Sequence, residues 1–418
     1  MKNLFISNKT SLGSIFLCVL FLFSLSGCCE KAIPEPEIAR SVLIYMAANN
    51  NLSQFSFDNI EMIKRGGFIP ANGNILIYHD APGTSPRLIR LVRNGTEIEE
   101  ELVEQYLSDE RATDPAVLSR TLNRMQELFP AREYGLILWS HANGWVPAGT
   151  TFSLTAPSLT ATFSLPSHIN ARDIPIVKTF GEARRPGGGP NADDPGMELD
   201  QLAGAIAAFR ARLSFIIFDC CLMGGIEALY ALRNVTDHII ASPTEILGYG
   251  FPYHLIMQPL FLPQPDLTGV CNTFYNFYNE QTGLNQSATI TLYTTQFLPE
   301  LAEILRSLFD RYREELGRFS LVNMQRFANT YVYYDLDQFI SQLVGQSDYA
   351  LFKEALDKVV FHKRNTEYFL SNVPPPYQAF IPVNHFGGIS TYIPIKSQTS
   401  LIQAYKETAW NKAVHLVE

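Results

Sequence analysis

The sequence predicts an α/β protein built on a mostly parallel sheet, and three observations carry that prediction. Short apolar runs recur between residues 41 and 254, helix-like segments separate them, and reactive side chains stand at the ends of two of the runs. Near-continuous apolar character is what strands buried on both faces require. Strand–helix alternation lays parallel strands side by side with helices on both faces.

The runs are SVLIYMA at 41–47, NILIYHD at 74–80, YGLILWSH at 134–141, LSFIIFDC at 213–220 and HIIASPT at 238–244. Helices are expected over 55–66, 114–129, 197–212 and 224–234. Residues 146–196 break the alternation. They are rich in Ser, Thr, Pro and Gly and too long for an ordinary strand-to-helix connection, so they read as an excursion from a core spanning 41–254. From 255 to 418 the pattern changes, with a helical stretch at 298–316 and the strand-like ATITLYTT, YVYYDL and GISTYIPI. This predicts a C-terminal α/β region packed on the core.

A chain of 418 residues with 46% hydrophobic and 12% aromatic content can fill a sizeable core. A formal charge of −9 without a basic stripe argues against a nucleic-acid partner. Residues 1–27 read as an export signal, with Lys2 and Lys9 ahead of the apolar LGSIFLCVLFLFSLSG. The signal runs into Cys28, and LSGC at 25–28 resembles the bacterial lipobox, in which the cysteine is lipidated and becomes the new N-terminus. Residues 28–40 then form a Pro- and Glu-rich tether. The expected location is the bacterial cell envelope, on the periplasmic or surface side, with the membrane as a partner through the lipid. Cys18 leaves with the signal, and the spacing of Cys29, Cys220, Cys221 and Cys271 suits neither a zinc finger nor a disulfide framework.

Reactive groups of parallel α/β sheets gather at the carboxyl ends of strands. His141 ends one run, and Cys220 and Cys221 end another. A cysteine hydrolase needs a thiolate, an imidazole that exchanges its proton, and backbone N–H donors for the oxyanion. A single cysteine closing a strand is more often an inert core residue; its pairing with a histidine at a second strand end shifts the reading toward chemistry. Consecutive strand residues point to opposite faces, so the two thiols take opposite roles. Pattern alone does not choose between them.

LWSHANGW at 138–145 and FDCCLMG at 218–224 are similar to the histidine and nucleophile motifs of clostripain-type cysteine peptidases, relatives of caspases, gingipains and legumain. YMAANNNLS at 45–53, MELDQLAGAI at 197–206, SPTEILGYGFPY at 242–253 and GGISTYIP at 387–394 extend the likeness in the same order. The resemblance implies a caspase-like α/β/α sandwich and a cysteine-type endopeptidase acting on proteins or peptides through a His141–Cys221 dyad that requires no cofactor. It places Cys221 at the nucleophile position and Cys220 where alanine is usual, with the N–H groups of Ala142 and Cys221 as oxyanion donors. It also implies cleavage after Arg or Lys, with Asp219 lining the pocket and Glu245 a second candidate acid. Tyr249 stands where another pocket acid is expected, and Ala142 where glycine is usual. Enzymes of this type are often self-processed between the two catalytic residues, which makes Lys178 and Arg184 candidate cleavage sites in a segment read as an exposed loop; Arg185 is disfavoured by Pro186.

Two other functions use the same residues: an inactive surface lipoprotein that binds peptides in the cleft, and an acyltransferase or amidase acting on a non-peptide substrate. Asp193, Asp194, Glu198 and Asp200 are calcium-capable oxygen ligands, though acidic residues ahead of a helix more often serve as caps and dipole partners. The glycine-rich RRPGGGPN lacks the Lys-Ser/Thr of a phosphate loop and reads as loop. His79-Asp80 reads as a hydrogen-bonded strand end, and Asn49 to Asn51 as a turn.

Overall fold

The structure, a computed structural model, describes Met1 and residues 37–107, 110–148, 150, 164–166, 169, 174–178, 196–372 and 378–418. Cys28, Arg184, Arg185, Asp193 and Asp194 lie outside the described residues. Residues 37–418 make one compact unit.

The apolar runs become strands of a nine-stranded sheet. In chain order they are β1 (Arg40–Ala47), β2 (Gly73–Asp80), β3 (Arg87–Asn94), β4 (Glu97–Gln105), β5 (Glu133–Trp139), β6 (Leu213–Asp219), β7 (Thr236–Ala241), β8 (Thr289–Thr294) and β9 (Val360–Asn365). Across the sheet the order is β9-β8-β7-β6-β5-β1-β2-β3-β4. The five central strands are parallel, and two antiparallel strands flank them on each side. The C-terminal region therefore shares the sheet through β8 and β9.

Helices cover both faces. On one side α1 (Ser53–Arg65) packs on α5 (Tyr253–Leu260), and α5 on α6 (Leu267–Asn279). On the other, α2 (Pro115–Leu128) meets α3 (Leu199–Ala207), which meets α4 (Ile226–Leu232). Buried Arg40, at the start of β1, ion-pairs with Glu133 and donates to the carbonyls of Leu260 (2.7 Å) and Leu262 (2.9 Å), tying the end of α5 to the sheet.

Three local differences from the sequence reading have physical causes. The β3–β4 hairpin carries alternating charges rather than a continuous apolar run, as a half-exposed edge does, with Arg87 and Glu100 paired across it at 3.0 Å. The helix expected to reach 212 stops at Ala207, because the chain must turn back into β6 at Leu213. YVYYDL and GISTYIPI shrink to a two-residue pairing of Tyr334–Asp335 with Ser390–Thr391, outside the main sheet.

Register decides what meets at the sheet's carboxyl edge. Trp139 of β5 lies opposite Asp219 of β6, and Leu138 opposite Phe218. Registered neighbours in parallel strands send their side chains to the same face. Trp139 and Asp219 thus both face α1 and α5: the indole donates to Asn59 of α1 at 2.8 Å, and the Tyr253 hydroxyl at the start of α5 donates to Asp219 at 2.9 Å.

The loops that follow these strands clasp one another. Gly144 has a φ of +60°, and a Cβ there would fall 2.7 Å from the Leu222 carbonyl oxygen. Leu222 is fully buried with a φ of +62°, a left-handed conformation that costs a non-glycine residue about 1–2 kcal/mol. Neighbouring bonds hold it: its own N–H donates to Thr244 and that of Gly224 to Ser242, both at 2.9 Å. The histidine-bearing loop and the cysteine-bearing loop are thereby pressed together.

Candidate active site

The site begins with a segment that the sequence reading took for exposed loop. Residues 176–178 lie antiparallel to 246–248: Val177 bridges Leu247, the Gly248 N–H donates to Ile176 at 2.6 Å, and the Lys178 N–H donates to Ile246 at 2.8 Å. This is strand addition, the way extended peptides dock on an exposed backbone edge.

Lys178 is fully buried, which corrects the expectation of an exposed residue. Its ammonium sits 2.7 Å from Asp219 Oδ1, donates to the Asp219 carbonyl at 3.4 Å, and lies 4.2 Å from the centre of the Trp139 ring. An ion pair out of water persists only when its partners are well placed; here a carboxylate, a carbonyl and an aromatic face surround one cation. Burial pulls the Lys178 pKa down, and the Asp219 charge opposes that shift. Gly250, at φ +68°, packs tightly on the ion pair: a Cβ there would lie 2.3 Å from Asp219 Oδ2 and 2.6 Å from the Lys178 nitrogen.

Ile246 joins this segment to the thiol. Its carbonyl accepts from the Lys178 N–H and, at 3.6 Å, from the Cys221 thiol, while its N–H donates to Cys221 Sγ at 3.1 Å. Cys220 turns to the opposite face, donating to the Leu138 carbonyl at 3.1 Å and lining a cavity of about 180 Å³ with Ala142, Phe218 and Leu202. Burial pushes the Cys220 thiol up to about 12, against the pull of the Lys178 charge, so at neutral pH it is an un-ionised thiol.

His141 Nε2 is 2.6 Å from Asn51 Oδ1. An amide oxygen only accepts, so Nε2 carries the proton and Nδ1 the lone pair. Burial lowers the imidazole pKa to about 4; the Lys178 backbone opposes the shift and the Lys178 charge adds to it. Lys178 also bears electrostatically on Cys221, so one residue connects the histidine, the thiol and Asp219.

Glu245 and Tyr249, the other residues expected to line a substrate pocket, make contacts of their own. Glu245 is buried but accepts from the Asn372 N–H at 2.9 Å, and among the described residues the acid paired with the Lys178 ammonium is Asp219. The Tyr249 ring is exposed and packs edge-on against Phe55; its carbonyl accepts from Asn59, the residue that also holds the Trp139 indole. Glu198 forms a capping box with Gln201 and accepts from the Ala148 N–H at 3.0 Å, and Asp200 follows in the first turn of α3. Among the described residues no group of three or more His, Cys, Asp or Glu is arranged to hold a metal ion. Sequence reasoning missed Asn51, Ile246, Gly250 and Tyr253; all four lie inside stretches it had singled out, but nothing in their residue types signalled their contacts.

In the intact chain, the His141 ring is expected to titrate near pH 4 in an NMR experiment, and a midpoint near 6.5 would contradict its burial beside Lys178. The folded pKa lies below the unfolded one, so the stability linked to this group is present above pH 6.5 and is lost as the pH falls toward 4.

Comparison with known proteins identifies the family and the fold. The clostripain family of peptidases matches residues 44–154 and 191–406. An inactive zymogen of a C11 protease from Parabacteroides distasonis superposes with a TM-score of 0.74 at 31% identity, covering 91% of this chain and 99% of that one. A secreted C11 cysteine protease from Bacteroides thetaiotaomicron, in complex with an irreversible peptide inhibitor, shares the fold with a TM-score of 0.73 at 24% identity, covering 90% and 98%. No curated protein matches the chain significantly. The caspase-like sandwich and the family match together make this chain a member of the clostripain family of cysteine-type peptidases.

Proposed function

We propose that the protein is an endopeptidase cleaving after basic residues, with Cys221 as nucleophile and His141 as its proton-transfer partner, made as a latent chain whose own Lys178 fills the substrate site. The observation that carries this is Lys178 itself: a strand-paired basic residue whose ammonium sits on a buried carboxylate and whose backbone is joined to Cys221 through Ile246. The relative from Parabacteroides distasonis is described as an inactive zymogen, which fits a self-occupied site. The relative that binds a peptide inhibitor supports a peptide or protein substrate.

In the proposed reaction Cys221 Sγ attacks the Lys178 carbonyl carbon as His141 Nδ1 takes the thiol proton. The N–H groups of Ala142 and Cys221 are the assigned donors to the oxyanion. Collapse breaks the bond to the Thr179 nitrogen, which leaves with the proton from His141, and water then hydrolyses the thioester. Asn51 positions the imidazole for both transfers. Val177 is buried and Ile176 half exposed, so the residue before the basic one is expected to be apolar.

Intact-mass analysis tests the reading. Wild type is expected to convert to two associated fragments, the first ending at Lys178, while Cys221→Ala stays whole and Cys220→Ala is still cut. A wild-type chain that remains uncut, or equal cutting of Cys221→Ala, would overturn it.

The same proposal places the enzyme on the envelope through lipid on Cys28, from the lipobox-like LSGC. Metabolic labelling with an alkyne fatty acid is expected to mark wild type and not Cys28→Ala; absence of label on wild type would remove the anchor.

A further inference from the structure

We infer that the pocket selects lysine over arginine in substrates, and that Tyr253 is the residue that sets this preference. The inference rests on the reading of the Asp219 pocket as the site for the residue before the cleaved bond.

The Asp219 carboxylate has two oxygens, and the fold already uses one. Oδ2 accepts from the Tyr253 hydroxyl at 2.9 Å and from the Phe251 N–H at 3.4 Å, which leaves Oδ1 to the Lys178 ammonium at 2.7 Å. A guanidinium binds a carboxylate best through two parallel N–H···O bonds, one to each oxygen, whereas an ammonium is a compact charge that needs a single close acceptor. Tyr253 therefore removes the second acceptor that would favour arginine. The hydroxyl is fixed as a donor, because a carboxylate only accepts, and burial holds the phenol well above its ordinary pKa so that it keeps its proton.

Depth points the same way. The ammonium also reaches the Asp219 carbonyl at 3.4 Å and the Trp139 ring at 4.2 Å, and a single added carbon on Gly250 would stand 2.6 Å from it. A planar guanidinium, which extends beyond the position of the lysine nitrogen, would meet Gly250 and the Tyr253–Asp219 bond. Asn59 adds rigidity, since its side-chain oxygen holds the indole at 2.8 Å while its nitrogen donates to Tyr249 at 3.0 Å. The Trp139 wall is thus not free to swing aside for the larger group.

The test uses self-processed enzyme and two fluorogenic peptides that share the native Ile-Pro-Ile-Val sequence and differ only in ending on Lys or Arg. Wild type is expected to favour the lysine peptide in kcat/KM by about tenfold or more, the scale on which a misfitted polar contact discriminates. Tyr253→Phe removes the closer donor to Oδ2, leaving only the Phe251 N–H at 3.4 Å, and opens space beside it, so the ratio is expected to fall several-fold through a gain on arginine relative to lysine. A wild-type ratio at or below one, or a ratio unchanged in a folded and active Tyr253→Phe, would overturn the inference while leaving the peptidase reading intact. If Tyr253→Phe does not fold, the wild-type ratio decides the lysine preference and Tyr253→Leu, which also lacks the hydroxyl, takes its place in testing the residue. Cleavage of neither peptide by enzyme that has processed itself would overturn this inference and the reading of the Asp219 pocket as a site for added substrates, while leaving the self-processing activity in place.

Discussion

The organisation of the site depends on one buried ion pair, Lys178 with Asp219. Neither charge reaches water, so each requires partners from the protein. The lysine finds an aromatic face and a carbonyl, and the carboxylate finds a phenol and a backbone N–H. These partners come from β5, β6 and the turn into α5, and they converge because Trp139 and Asp219 share a register position in neighbouring parallel strands. Sheet register and pocket chemistry are the same constraint seen at two scales.

The proposed catalytic pair stands close along the chain to that arrangement. Two residues beyond Trp139 stands His141, and two beyond Asp219 stands Cys221, on loops clasped where Gly144 meets Leu222. The two adjacent thiols then diverge. Cys220 is driven by burial to an un-ionised state against the Leu138 carbonyl, whereas Cys221 faces the N–H of Ile246, the residue that also pairs with Lys178. One residue thereby touches both the thiol and the chain lying across it.

Much of this was legible in the sequence. Buried parallel strands need continuous apolar runs, so β1, β2, β5, β6 and β7 announced themselves. Their chemically loaded ends brought His141 and the Cys220–Cys221 pair into view, and motif likeness, not periodicity, separated the two cysteines. The role of Lys178 was not legible. Its surroundings in the 146–196 excursion are rich in loop-forming residues, and its partner lies 41 positions away, so nothing local distinguishes a buried, ion-paired lysine from an exposed one. Tyr253 and Asn51 escaped for a related reason: their importance lies in which atom they face, and that is settled only when distant strands come into register. The β3–β4 hairpin was hidden because edge strands carry charge where interior strands carry apolar side chains.

The claim on which this account turns is that Lys178 occupies the pocket in the uncut chain, and amine acylation followed by mass spectrometry addresses it directly. In full-length Cys221→Ala treated with an amine-reactive ester at neutral pH, Lys178 is predicted to stay unmodified while the exposed Lys396 and Lys412 react. Acylation of Lys178 at a rate comparable to theirs would contradict the buried ion pair and the latent site built on it.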